Sequence, residues 1–332
     1  MRIFLGFFGI ILVLTVITDV LGTTLRLTGG GPITSRLTPW LWRAAVRVAP
    51  GHKSLGTMGF AIILFEVILW VGLVWIGWTL VLNMDTGSLL VTKTQAPVSF
   101  LDRLFFIGSS LVTVGTGKYE PTSNLWQLVA TVAAANGFFL ITLVITYLLP
   151  LVTEVVKRRQ LASYIAALGD TPQKILTRAW NGEGFGLLAH HWIELTFPIQ
   201  QLGQGHLAYP ILHCFHSPER KTALAPNIAA LDEALTLLEC VVPEKRPDQV
   251  SIYPLRCAIE SFLETLTEAH LSPTKRPPPP PSLEPLRAAG IPMLGEGELG
   301  SILDALIKRR RLLWGLVTKE GWSWNDLSGE GQ

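Results

Sequence analysis

The chain has 332 residues, of which 49% are hydrophobic and only 16% charged, and its formal net charge is +2. An average soluble domain carries about 25% charged residues, so the composition sets this chain apart from that class. The small net charge excludes a global field that would draw nucleic acid. The three cysteines, Cys214, Cys240 and Cys257, lie in the polar second half without motif spacing. That fits a reducing compartment better than a disulfide framework.

A membrane helix needs about 20 apolar residues. Ile3–Gly22 supplies the first such run, with Asp19 as its only charge. It reads either as a retained membrane helix or as a signal peptide, although no small-x-small cleavage site follows. The loop Thr23–Gly56 then carries Arg26, Arg36, Arg43, Arg47 and Lys53 and no acid. Within it Thr38 before Pro39 predicts a helix start. Arginines 36, 43 and 47 oppose Leu41, Ala45 and Val48, the pattern of a short interfacial helix or of an ordered basic loop.

Thr57–Leu82 is the second apolar run, interrupted only by Glu66 near its middle. A carboxylate at that depth needs a proton or a partner. Glu66 is therefore a candidate pH-sensitive residue facing the first or inner helix, or else a buried structural acid. Leu125–Thr153 is the third run, without a charge, and Lys157, Arg158 and Arg159 follow it. The Lys/Arg bias of the loops predicts an external N-terminus, an external Asn83–Asn124 segment and a cytosolic C-terminal half, in a plasma membrane or bacterial inner membrane.

The external segment is more than a loop. Ser99 is a helix-cap residue, and "FLDRLFFIGSSLV", Phe100–Val112, is too apolar for a solvated turn. As a helix it would reach roughly 20 Å at 1.5 Å per residue, short of a full crossing and suited to a re-entrant half-helix. Thr113-Val114-Gly115-Thr116-Gly117 follows at once. Gly115 and Gly117 are predicted to take positive φ without steric cost. Such alternation turns successive carbonyls one way, and a ring of carbonyls can replace the water around a cation. The negative end of the half-helix dipole also favours a cation below it. The other close glycine pairs of the chain do not sit between a half-helix and a membrane run, so one chain supplies one side of a ring. A complete pore needs several chains, most simply four.

Outer helix, pore helix, Thr-Val-Gly-x-Gly filter and inner helix in this order resemble the potassium-channel superfamily, over about Thr57–Val156. Phe105, Phe106, Ser109 and Ser110 ahead of Thr113 resemble its pore helix. The resemblance implies an all-α integral membrane protein with a tetrameric pore-loop channel fold, here with an extra N-terminal helix and a helical cytosolic domain. It implies that Thr113, Val114, Gly115, Thr116 and Gly117 bind the permeant ion. It also implies a gating role for Gly137, which stands 20 positions after Gly117 where the family often has a hinge. Close helix packing is the other reading of Gly137. Pro150 is a second gating candidate, as a kink. Ile141, Ile145 and Leu149 are pore-lining candidates, with Thr142 and Thr146 as the neighbouring stripe.

Two positions depart from the family pattern. Thr116 stands where an aromatic usually braces the filter, and Lys118 where an aspartate usually follows it, with Glu120 close enough in sequence to offset the lysine. The implied function is a passive cation channel that conducts potassium as a homotetramer. The alternatives are a non-selective cation channel or a membrane sensor with a poorly conducting pore loop. Potassium is the expected permeant ion; no organic cofactor, other metal, catalytic residue or nucleic-acid partner is expected. Membrane lipid is the expected partner beside the chain itself, and the cytosolic regulator is unknown.

The domain plan is 1–56, an N-terminal helix and basic segment; 57–156, a pore module; and 157–332, a cytosolic domain. The module comprises outer helix 57–82, pore helix 99–112, filter 113–117 and inner helix 125–156. In the cytosolic part, helices are predicted from Pro172 to about Trp180, through "GLLAHHWIELTF" up to Pro198, over Ile228–Val241 and Ser251–His270, and as one final helix Gly297–Glu320. Pro277–Pro281 lies in a stiff linker, 273–285. Lys308-Arg309-Arg310-Arg311 reads as a solvated face or as a patch for anionic lipid or an acidic partner. The spacing in "HCFH", His213–His216, matches no standard zinc site. "GEGFG" has no strand before it to make it a dinucleotide loop.

Overall fold

The computed structural model describes residues 1–26, 30–48, 52–268 and 271–327. The chain forms two compact units, Met1–Ala45 with Phe60–Val152, and Val46–Gly59 with Thr153–Gln332. Its elements begin with α1 (Arg2–Leu25), α2 (Thr34–Val48), α3 (His52–Leu82), β1 (Leu89–Val91), α4 (Phe100–Leu111), β2 (Tyr119–Pro121) and α5 (Asn124–Leu168). Among the described residues three helical stretches are long and apolar enough to cross a membrane: Arg2–Leu25, Gly56–Leu82 and Asn124–Leu168. They are mostly apolar up to about Thr153, and side chains such as Phe4, Ile11, Leu64 and Ile68 remain exposed, as a lipid-facing surface requires.

The first unit is built around α1, α3, α4 and the first part of α5. Its core joins Val16 and Val20 of α1, Trp70 and Val74 of α3, Phe106 and Ile107 of α4, and Ala133, Leu140 and Val144 of α5. Gly9 and Gly77 let the backbones of α1 and α3 touch: a Cβ on Gly9 would lie 2.5 Å from the Gly77 carbonyl oxygen. β1 and β2 pair antiparallel, with Val91 opposite Tyr119.

The basic segment differs from its sequence reading. α2 starts at Thr34 rather than at Thr38, and Pro39 sits inside the helix. The reason is Asp19. Its Oδ1 accepts hydrogen bonds from the backbone N–H groups of Ile33 (2.6 Å) and Thr34 (3.0 Å). Its Oδ2 accepts from the Thr34 hydroxyl (2.7 Å) and from Trp70 Nε1 (2.7 Å). An acid from another helix thus satisfies the N-terminal donors of α2. Asp19, a lone charge by sequence, is fully buried. Thr34, Thr38 and Trp42 form the buried stripe of α2, while Arg36 and Arg43 point outward.

The second unit holds the end of α5, then α6 (Pro172–Ala179), α7 (Leu188–Ala208), α8 (Leu224–Leu238), α9 (Gln249–Glu268), α10 (Glu284–Ala288), α11 (Glu296–Ala305) and α12 (Ile307–Lys319). Thr171 caps α6 through Lys174 N–H, with Pro172 at the first turn as the sequence predicts. α7 runs on through Pro198 because Leu195, Ile199 and Leu202 continue one buried stripe across it. The predicted single final helix is two, broken at Leu306. α8 is buried along its whole length and is the centre of the unit rather than an amphipathic surface helix.

The basic run 308–311 is mostly not a solvated face. Arg309 pairs with Asp232 (2.7 Å) and Arg310 with Glu233 (2.6 Å), both acids on buried α8. Arg311 donates to the Thr274 carbonyl. The proline run is not a free linker either, because the carbonyls of Pro278 and Pro279 accept from Arg310.

Among the described residues no cluster of His, Cys, Asp and Glu could hold a metal ion. Burial instead pushes His206 down to about 3 and His213 down to about 4. Both are neutral in the folded chain and regain an ordinary value near 6.5 on unfolding. The unfolded chain therefore binds more protons below about pH 6.5, and stability is lost as pH falls, by roughly 1.4 kcal/mol per pH unit per fully responding histidine. Thermal unfolding of the purified protein between pH 7 and pH 5 should show this slope, and His206→Gln should flatten it. An unchanged slope in the variant would refute the assignment.

Candidate functional site: the pore loop

Local chemistry fixes where the half-helix begins. Ser99 caps α4, and the Asp102 side chain reaches back to the Ser99 N–H (2.9 Å), closing a reciprocal capping box. Asp102 and Arg103 do not pair with each other. Buried Arg103 instead donates to the carbonyls of Thr86 (2.6 Å) and Val98 (2.9 Å), which anchors the start of α4 to the turn that follows α3. Further along, Trp75 Nε1 of α3 donates to the Leu104 carbonyl (2.6 Å).

The chain then turns back over the end of α4. Thr113 N–H donates to Ser110 O (3.0 Å), and Val114 and Gly115 N–H both donate to Ser109 O, at 2.9 and 3.2 Å. Thr113 has φ +58° and Gly115 φ +67°, while Gly117 is not in the left-handed region. The positive φ expected at Gly117 is therefore absent, and Thr113 is the second left-handed residue of the segment instead. A non-glycine residue there costs about 1–2 kcal/mol, a strain typical of functional sites. The three amides face the helix, and among the described residues nothing donates to the carbonyls of Thr113–Gly117. Val114 is 76% exposed on this chain.

Beyond Gly117, Tyr119 is buried and its hydroxyl donates to Asp102 Oδ1 (2.5 Å). That bond, with those from Ser99, holds the Asp102 carboxyl down at about 2. Lys118 Nζ lies 4.9 Å from the centre of the Tyr119 ring. Glu120, the acid expected to offset Lys118, instead accepts from Gln95 (2.6 Å), and Asp102 is the acid that acts on Lys118. Thr116 Oγ1 is buried and has no hydrogen-bond partner.

The gating candidates have definite places. A Cβ on Gly137 would lie 2.3 Å from Leu111 O, so this glycine lets α5 press on the end of the half-helix. This contact favours the packing reading of Gly137 over the hinge. α5 continues unbroken through Pro150 to Leu168, beyond the expected end at 156. Tyr147 and Leu151 keep the buried stripe intact around the exposed proline. Ile141, Ile145 and Leu149 are exposed on one chain, and so are Thr142 and Thr146. Glu66 is buried, with the Thr38 hydroxyl of α2 as its partner rather than a group on α1 or α5. Sequence reasoning missed Asp19 and Tyr119 because both act through distant partners.

Three apolar spans and one re-entrant helix leading into a strand of free carbonyls define a pore-loop membrane protein. Residues 59–154 match the model of the family described as "Ion channel". Over 319 residues the chain is 33% identical to the "Uncharacterized membrane protein YdjJ" of Bacillus subtilis (strain 168), covering 95% of this chain and 94% of that one. No solved structure matches. The chain belongs to the family of that membrane protein, and its residues 59–154 form a non-enzymatic ion-channel domain of the two-helix pore-loop kind found in the potassium-channel superfamily.

Proposed function

We propose that four copies of the chain surround an axis lined by Thr113–Gly117 and conduct potassium passively down its electrochemical gradient. One observation carries this reading. The amides of Thr113, Val114 and Gly115 are tied back to α4, which leaves carbonyls facing the other way with no partner of their own. A partly dehydrated cation is the partner that such a row suits. Ile141, Ile145 and Leu149 are then the inner lining, with Gly137 and Pro150 shaping the inner helix. The basic stretches keep the N-terminus outside and residues 157–332 in the cytosol.

A non-selective pore is the second reading, favoured by Thr116, whose buried hydroxyl braces nothing. Reversal potentials of the purified full-length chain in liposomes under a potassium/sodium gradient separate the two. Potassium conduction predicts a reversal potential that follows the potassium gradient. A value near zero supports the non-selective pore, and absence of current overturns conduction.

A further inference from the structure

We propose that the Tyr119–Asp102 hydrogen bond is the outer brace of the filter and determines how well it discriminates among monovalent cations. This rests on the reading of Thr113–Gly117 as a selective filter. The inner part of that strand is anchored by three amide hydrogen bonds to Ser109 and Ser110. The next three residues, Thr116, Gly117 and Lys118, have no comparable side-chain tether: the Thr116 hydroxyl is buried without a partner, and Gly117 has no side chain. Lys118 extends its ammonium over the Tyr119 ring. Tyr119 is therefore the first side chain past the filter that holds it to α4.

Both ends of this brace are rigid. Tyr119 is buried, stands in β2 opposite Val91, and meets the ring of Phe105 edge-on at 6.3 Å. Asp102 Oδ2 is fixed by Ser99 N–H (2.9 Å) and Ser99 Oγ (2.7 Å), so the accepting oxygen is pre-aimed by the capping box. A hydrogen bond to an ionised carboxylate is among the stronger ones a protein makes. The brace acts at a distance: Tyr119 is a positioning residue and its hydroxyl does not meet the ion. Without it, Thr116 and Gly117, which lie between the anchor at Ser109 and the Thr92 N–H bond to the Lys118 carbonyl (3.0 Å), are free to move their carbonyls by the small displacement that separates one alkali cation from another.

The test uses the full-length chain in liposomes and the potassium-to-sodium permeability ratio from reversal potentials. Wild type, Tyr119→Phe, Asp102→Ala and the double variant are compared, each required to elute as the same single species as wild type. The brace predicts that Tyr119→Phe lowers the ratio about tenfold, the equivalent of one charged hydrogen bond. It also predicts that the double variant is no worse than the more affected single one. A selective wild type with an unchanged Tyr119→Phe ratio, or strictly additive losses, overturns the brace alone. A wild-type ratio near one overturns the selective filter and the brace with it. If Tyr119→Phe does not elute as the same species, Asp102→Asn takes its place; it keeps an acceptor for the hydroxyl, and its ratio should stay nearer wild type than that of Asp102→Ala.

Discussion

Gly137→Ala is expected to give a channel that still inserts but loses most of its current and selectivity. The added Cβ would stand 2.3 Å from Leu111 O, 2.6 Å from Leu111 Cα and 2.8 Å from Leu111 C. All three are backbone atoms, so no rotamer change relieves the contact. Leu111 is the buried last residue of α4, and Val112 and Thr113 follow it directly into the filter strand. Any retreat of Leu111 therefore moves the carbonyls on Ser109 and Ser110 that hold the filter amides. Overpacking of this kind costs about 1–3 kcal/mol per site, and a tetramer would meet it four times. Helix propensity acts in the opposite direction, since alanine is favoured over glycine by about 1 kcal/mol within a helix. The two readings of Gly137 consequently part company. A hinge glycine replaced by alanine should give a stiffer inner helix, slower opening and intact ion selectivity. A contact glycine should give damaged selectivity even in the openings that remain. Permeability ratios of Gly137→Ala in liposomes decide between them, and a wild-type ratio would sink the contact.

The parts of this fold that were legible in the sequence are those determined by neighbours along the chain. Span lengths follow from apolar runs. The α4 start follows from Ser99 as a cap ahead of an apolar run, and the filter from alternating residues that immediately follow a short helix. What the sequence hid depends on partners far away. Asp19 showed only as the single charge of an apolar run because its four donors come from Ile33, Thr34 and Trp70, the last 51 positions away. Arg309 and Arg310 looked like surface charges because Asp232 and Glu233 precede them by 77 positions, and helical periodicity does not say which distant cation meets an acid on a buried helix. Gly137 was visible as a glycine at a suggestive spacing. Its reason is a backbone atom of another helix, which helical periodicity does not encode.

Asp232→Ala should be among the most destabilising substitutions in the second unit, because one carboxylate there serves two other helices. Asp232 is fully buried; Oδ1 lies 3.0 Å from Arg256 Nη1 on α9 and 2.7 Å from Arg309 Nη2 on α12, and Oδ2 lies 3.0 Å from Arg309 Nε. Removing it leaves guanidinium groups facing each other inside the unit. Breaking a buried ion pair on one side costs about 3–5 kcal/mol. In a domain of this size that corresponds to a fall in thermal midpoint of about 10 °C. The pH dependence gives an independent check. Burial pushes the Asp232 carboxyl up, but Arg256 and Arg309 outweigh it and hold its pKa below the ordinary value. The folded state thus holds the proton less tightly than the unfolded one. The pair's contribution is complete above the unfolded carboxylate value of about 4 and is lost as pH falls through the lower folded value. This window overlaps the lower end of the one in which His206 and His213 act, but both histidines are common to wild type and variant and cancel in the difference between them. Unfolding followed by far-ultraviolet circular dichroism should show a wild-type advantage over Asp232→Ala that is constant between pH 7 and pH 5 and narrows below about pH 4. Equal midpoints at pH 7, or a difference that persists unchanged into strong acid, would contradict an ionised Asp232 at the centre of the unit.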